Sequence, residues 1–123
     1  MQRNGTKRGV AHKEYYNHRF QLYAPRLNKD YYFCVSGSDK GLGEWDPEKA
    51  HIMDDSDYPL WKADILIESD IRPMEYKYGI YDKEEKKLIS WEYGPNRIID
   101  HEKSLLDNIL SVHTDQSYRY TQG

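Results

Sequence analysis

Trp45, Trp61 and Trp91 are the side chains with the most to offer chemically, and what they offer is adhesion. An indole has a flat apolar face and one polar edge, so a half-exposed indole can stack on a partner and still be wetted. Trp45 stands in a polar, glycine-rich stretch, GSDKGLGEWDP from Gly37 to Pro47, where no core demands it. Trp91 lies beside the turn Tyr93-Gly94-Pro95-Asn96. Trp61 lies within an alternating, strand-like run, and there a tryptophan is more often core than platform. The 12 Tyr and 2 Phe extend the aromatic supply, although a β-rich fold favours aromatics in any case. Nearby polar residues have plain readings of their own. Lys77 reads as a solvated strand charge, Asn96 as a turn former, and Arg97 as a structural cation with a carboxylate partner.

No set of residues is spaced for a reaction. GxSxG, HExxH, P-loop and CxxC patterns are all missing from the sequence. His12 and His18 have no third ligand at structural-metal spacing. Asp54-Asp55-Ser56-Asp57 lacks the glycine and closing glutamate of a calcium loop. No metal and no cofactor are expected. Two carboxylates alone suffice for glycoside cleavage, so a small glycosidase stays open on residues alone.

The elements around these residues read as strands. Tyr15 to Tyr23 alternates, Ala24 to Asp30 is a turn, and Tyr31 to Val35 is a short buried strand holding the single cysteine, Cys34. Asp46-Pro47 is a cap and start for one helical turn. Asp54 to Pro59 reads as a polar loop. Leu60 to Ile67 alternates most clearly, with Trp61, Ala63, Ile65 and Ile67 toward the core. Met74 to Tyr81 places Met74, Tyr76, Tyr78 and Ile80 on one face. A charged hairpin loop, Asp82 to Lys87, leads to strands at Leu88 to Glu92 and Arg97 to Asp100. Short strands spaced by turn residues imply an all-β antiparallel sandwich or barrel. Ser104 to Val112 has the pattern of a helix, and Val112 to Tyr120 looks extended. The expected division is a linker or tag at 1–13, a sandwich at 14–102, and a tail or linker toward a further domain at 103–123.

A length of 123 residues fits one domain, and a net charge of −3 gives no basic surplus for nucleic acid. No apolar run approaches a membrane span of roughly 20 residues. Met1 to Lys13 lacks the apolar centre of a secretory signal, and one cysteine forms no internal disulfide. A cytoplasmic parent protein is the expectation.

Three stretches then carry a resemblance. GSDKGLGEWDP, YPLWKADILI, and the pair EYKY and SWEYGPNR follow one another in the order and spacing of a known pattern. Over about Arg19 to Asp100 the chain resembles the starch-binding domain of carbohydrate-binding module family 20. That resemblance implies an immunoglobulin-like antiparallel β-sandwich with no catalysis of its own. It implies a first glucan site with Trp45 and Trp91 as platform, Lys77 and Asn96 bonding hydroxyls, and Glu92 helping through a side-chain or backbone contact. It implies a second site around Trp61, with Tyr58 and Tyr23 as the nearest partners. The implied ligands are starch, maltooligosaccharides and cyclodextrin. The implied setting is a covalently linked catalytic domain of 4-α-glucanotransferase or amylase type, with the resemblance nearer to modules of disproportionating-type 4-α-glucanotransferases. A protein–protein interaction module on the same sandwich is the rival reading.

Overall fold

A computed structural model describes residues 16–69, 71–100 and 110–120. Period-two alternation builds its strands, because successive strand side chains point to opposite faces. In β1 (His18–Tyr23), His18, Phe20 and Leu22 are buried; in β5 (Leu60–Ile65), Trp61, Ala63 and Ile65 are. Ile67 continues the β5 series inward, as expected from its spacing. β2 (Tyr31–Gly37) and β6 (Met74–Asp82) contribute Phe33, Val35, Met74, Tyr76 and Tyr78 from the opposite side. The short strands are β3 (His51–Ile52), β4 (Asp54–Asp57), β7 (Lys87–Trp91), β8 (Arg97–Ile99) and β9 (Ser111–Asp115). Asp54–Asp57, expected as loop, pairs irregularly with β5 at Lys62 and Leu60.

Two sheets enclose this core. One runs β4-β5-β1-β9; the other runs β3-β2-β6-β7, with β8 also pairing β6. Every pairing is antiparallel except β1 with β9, which is parallel. β7 and β8 meet β6 at successive positions, Trp91 opposite Gly79 and Arg97 opposite Tyr76. The chain from 92 to 96 therefore turns over Lys77.

The sandwich does not close at residue 102. Ser111–Asp115 hydrogen-bonds along β1, and Tyr118 is 6% exposed with its ring 4.9 Å from that of Phe33. The helix expected at Ser104 to Val112 lies mostly outside the described residues, and its last two, Ser111 and Val112, are strand. The linker expected at 1–13 also lies outside them.

Trp61 corrects the second-site expectation. It is 1% exposed, packs edge-on against Tyr32 and Phe33, and donates from Nε1 to the Ala24 carbonyl at 3.1 Å. A sealed indole has no face for a sugar. Trp61→Ala is expected to cost about 3–5 kcal/mol of stability, the range for truncating a large core aromatic. Urea unfolding measures it, and a loss under 1 kcal/mol contradicts the core assignment.

The β1–β9 pairing carries a pH dependence. His18 Nδ1 and His113 Nε2 lie 2.9 Å apart, with stacked rings. Burial, then His113 and Arg72, push the His18 pKa down to about 4, with Asp39 opposing. His113 is lowered too, first by burial and then by Arg72, against the pull of Asp115. The fold thus favours neutral imidazoles, whereas the unfolded chain takes up protons near pH 6.5. Stability should be full above pH 6.5 and fall as pH drops toward 4, by up to about 3 kcal/mol for His18. Urea midpoints at pH 7 and pH 5 read this, and equal midpoints contradict it.

Candidate functional site

The first part of the site is the loop after β2. Asp39 accepts from the Gly41 N–H at 2.8 Å and starts a 3-10 turn, Lys40–Leu42, whose Leu42 side chain is sealed in the core. Ser36 Oγ donates to the Leu42 carbonyl at 3.1 Å, and His51 Nε2 lies 2.7 Å from the Gly41 carbonyl. The chain then passes through three consecutive residues with positive φ: Gly43 (91°), Glu44 (53°) and Trp45 (67°). Such a backbone costs a non-glycine residue about 1 kcal/mol or more and persists only where its surroundings hold it. Here the Trp45 N–H donates to the Gly37 carbonyl at 3.0 Å, and Asp46 N–H to Gly43 at 3.0 Å. Asp46 also caps the 3-10 turn Pro47–Lys49, the helical turn expected at Asp46-Pro47. The result is an indole presented at the surface by a braced loop.

The second part comes from β6, β7 and the turn to β8. Trp91 ends β7 half-buried, with its ring centroid 5.7 Å from that of Trp45 and the two planes at 67°. Lys77 projects from β6 beside them, and its Nζ donates to the Glu92 carbonyl at 3.1 Å. Asn96 is exposed in the turn and donates from Nδ2 to Glu75 Oε1 at 2.7 Å. Trp45, Trp91, Lys77 and Asn96 line one open groove of about 410 Å³. The groove offers two apolar faces set at an angle, an ammonium, and an amide that retains an acceptor oxygen and a second N–H. Such a surface can stack on flat apolar rings and hydrogen-bond to hydroxyls at their edges. Among the described residues no group of three His, Cys, Asp or Glu is placed to hold a metal ion.

Glu92 does not line this groove. Its side chain is 2% exposed and accepts from the Tyr78 N–H at 3.0 Å, from Arg97 Nε at 2.8 Å and from Arg97 Nη2 at 2.7 Å. A side-chain contact to a ligand is therefore excluded; only the backbone part of the expectation remains, as a carbonyl that holds Lys77. Arg97 pairs as well with Asp115 at 3.1 Å, and Asp115 accepts from the hydroxyls of Tyr76 at 2.8 Å and Tyr78 at 2.7 Å. Burial works against the Arg97 charge, but Glu92 and Asp115 outweigh it and raise its pKa further. Burial, with Asp115 beside them, holds both tyrosines protonated.

The second-site trio is split between surface and core. Tyr23 and Tyr58 are 40% and 44% exposed, with Arg26 over the Tyr58 ring at 4.4 Å, while Trp61 is inside. Sequence reasoning missed Glu75, which orients Asn96, and the segment 115–119 beneath the turn. The alternation of Glu75 with Lys77 on one face of β6 was a usable signal for the first; the polar segment SVHTDQSYRY carried none for the second.

The model of a family described as "Starch binding domain" matches residues 17–107. The chain belongs to the starch-binding domain family. Among curated proteins this starch-binding domain is 34% identical over 85 residues to the 4-alpha-glucanotransferase DPE2 of Oryza sativa subsp. japonica, covering 67% of the chain and 8% of that protein. It is 35% identical over 63 residues to an alpha-amylase of Streptomyces violaceus, covering 51% of the chain and 10% of that protein. The domain thus spans about a tenth or less of the length of these two relatives. Among solved structures, the family 20 module of the maltotetraose-forming amylase from Pseudomonas saccharophila STB07 superposes with a TM-score of 0.64 at 22% identity. That match covers 80% of this chain and 97% of the other, and it supports the same sandwich. A gamma-CGTase from alkalophilic Bacillus clarkii superposes with a TM-score of 0.63 at 25% identity, over 83% of this chain and 15% of that one.

Proposed function

We propose that the Trp45–Trp91 groove binds starch and shorter maltooligosaccharides, and takes cyclodextrins as compact analogues. The observation that carries this reading is the pair of half-exposed indoles, 5.7 Å apart and opened to 67°, with Lys77 and Asn96 on the same groove. A glucose ring shows one face of C–H groups, and covering it with indole gains about 25 cal/mol per Å². Two indoles at an angle follow the curve of an α-1,4 chain, where a flat β-1,4 chain would touch only one. Lys77 and Asn96 bond the hydroxyl rim. Affinity is modest, because an open groove buries little and must order a flexible chain.

The domain works as a binding module and anchors a larger α-glucan-active enzyme. Its likeness to a 4-alpha-glucanotransferase supports a parent of that type. A cytoplasmic setting belongs to the same reading, and the single, sealed Cys34 thiol is at home there. Titration with β-cyclodextrin, followed by tryptophan fluorescence, should give saturable binding, and soluble starch should release no reducing sugar. A flat titration sinks the glucan assignment; sugar release sinks the non-catalytic one.

A further inference from the structure

We propose that Arg119 is a positioning residue for the sugar groove, the working end of a buttress formed by residues 115–119 under the turn from Glu92 to Asn96. The inference rests on the glucan-binding reading above. The turn carries Asn96 and follows Trp91, yet its residues 93–96 are all exposed and Gly94 has a φ of 91°. Little within it resists movement. From β6, Glu75 accepts from Asn96 and Lys77 bonds the Glu92 carbonyl; the other bonds that hold the turn come from the chain's last described segment. Tyr93 N–H donates to the Arg119 carbonyl at 2.9 Å, and Arg119 N–H approaches Glu92 Oε1 at 3.4 Å. Arg119 Nη1 donates to the Pro95 carbonyl at 2.7 Å, one residue before Asn96. Its guanidinium and Cδ lie over Gly94, where an added Cβ would sit 3.2 and 3.3 Å away. Ser117 supplies a carbonyl to Arg97 Nη2 at 3.0 Å, and Asp115 a carboxylate to Nη1.

The segment is itself anchored. Asp115 ends β9 and binds two core tyrosine hydroxyls, and Tyr118 packs on Phe33. Position therefore passes from the core through 115–119 to the Pro95 carbonyl, and from there to Asn96. The Arg119 side chain, half-buried, bonds to the turn and not to the core. Its removal should loosen the turn while the anchoring bonds of Asp115 and Tyr118 stay. A hydroxyl bond shifted by about 1 Å is largely lost, so a loosened Asn96 weakens sugar binding without any lost sugar contact at Arg119.

The test compares the wild-type chain with Arg119→Ala and Arg119→Lys. β-Cyclodextrin affinity is read by calorimetry, thermal unfolding by circular dichroism, and the indole N–H signals of the tryptophans by ¹H–¹⁵N NMR. Arg119→Ala is expected to weaken binding about three- to tenfold with Tm within a few degrees of wild type. The Trp91 indole signal should shift or broaden while that of Trp61, bonded to Ala24, stays in place. Arg119→Lys, which keeps a donor for Pro95, should recover most of the affinity. Wild-type affinity in Arg119→Ala overturns the proposal, as does a loss explained wholly by a drop in Tm. If the wild-type chain binds no β-cyclodextrin, the glucan reading itself fails. The positioning role then stands or falls on whether the Trp91 signal moves in Arg119→Ala.

Discussion

Trp91→Ala is expected to lower β-cyclodextrin affinity by about thirtyfold or more while leaving the domain folded. The magnitude follows from area. Covering one glucose face with an indole removes on the order of 80–100 Å² of apolar surface from water, about 2 kcal/mol. At 1.4 kcal/mol per decade that is about thirtyfold. Losing one of two walls set at 67° also removes the shape match, so the loss should exceed the area term. The fold should survive because Trp91 is half-buried at the end of β7 and is not a member of the buried core cluster. Trp45→Ala should act in the same direction, although its backbone at φ 67° keeps the same strain with alanine as with tryptophan. Calorimetric titration of both variants, with urea unfolding alongside, gives the measurement. Near-wild-type affinity in Trp91→Ala removes the groove from the binding site, whatever the ligand.

How much of this was readable beforehand differs residue by residue. The alternation of Leu60 to Ile67 placed Trp61, Ala63, Ile65 and Ile67 on the inner face, and all four are buried. The motif resemblance put Trp61 in a second sugar site, against that same alternation. The strand period prevailed, because in β5 the face of a side chain is set by its neighbours' burial and not by residue type. Trp45, Lys77, Trp91 and Asn96 were legible as a set only through motif order. Their meeting depends on β7 and β8 both pairing with β6, which no local pattern encodes. The extended character of Val112 to Tyr120 was legible, but its place in the sandwich was not: SVHTD is polar, and parallel pairing with β1 is a long-range choice. The expectation that Arg97 serves a carboxylate is met twice, by Glu92 and by Asp115. Glu92, expected to help through a side-chain or backbone contact, has its side chain sealed, and a glutamate beside a tryptophan and a turn carries no mark of burial.

Glu92→Ala separates those two roles for the glutamate. As a sugar contact, its loss would lower affinity and leave stability alone. As the hub described above, its loss leaves the Arg97 guanidinium without its closest partner and the buried Tyr78 N–H without its acceptor. Breaking one side of a buried ion pair costs about 3–5 kcal/mol, because the remaining charge stays desolvated. Asp115 still faces Arg97 at 3.1 Å, which places the expected loss toward the lower end, about 3 kcal/mol. For a domain of this size that lowers Tm by about 10 °C or more. Glu92→Gln removes the charge and one acceptor: an amide oxygen at the Oε2 position still accepts from Tyr78 N–H and Arg97 Nε, while the NH2 at the Oε1 position faces the Arg97 Nη2 donor, so Tyr78 keeps its acceptor but the ion pair is lost. Binding measured well below the variant's own Tm should fall much less than in Trp91→Ala, since the groove's four lining side chains remain. A Glu92→Ala domain with wild-type Tm and abolished binding would return the carboxylate to the sugar and refute the hub.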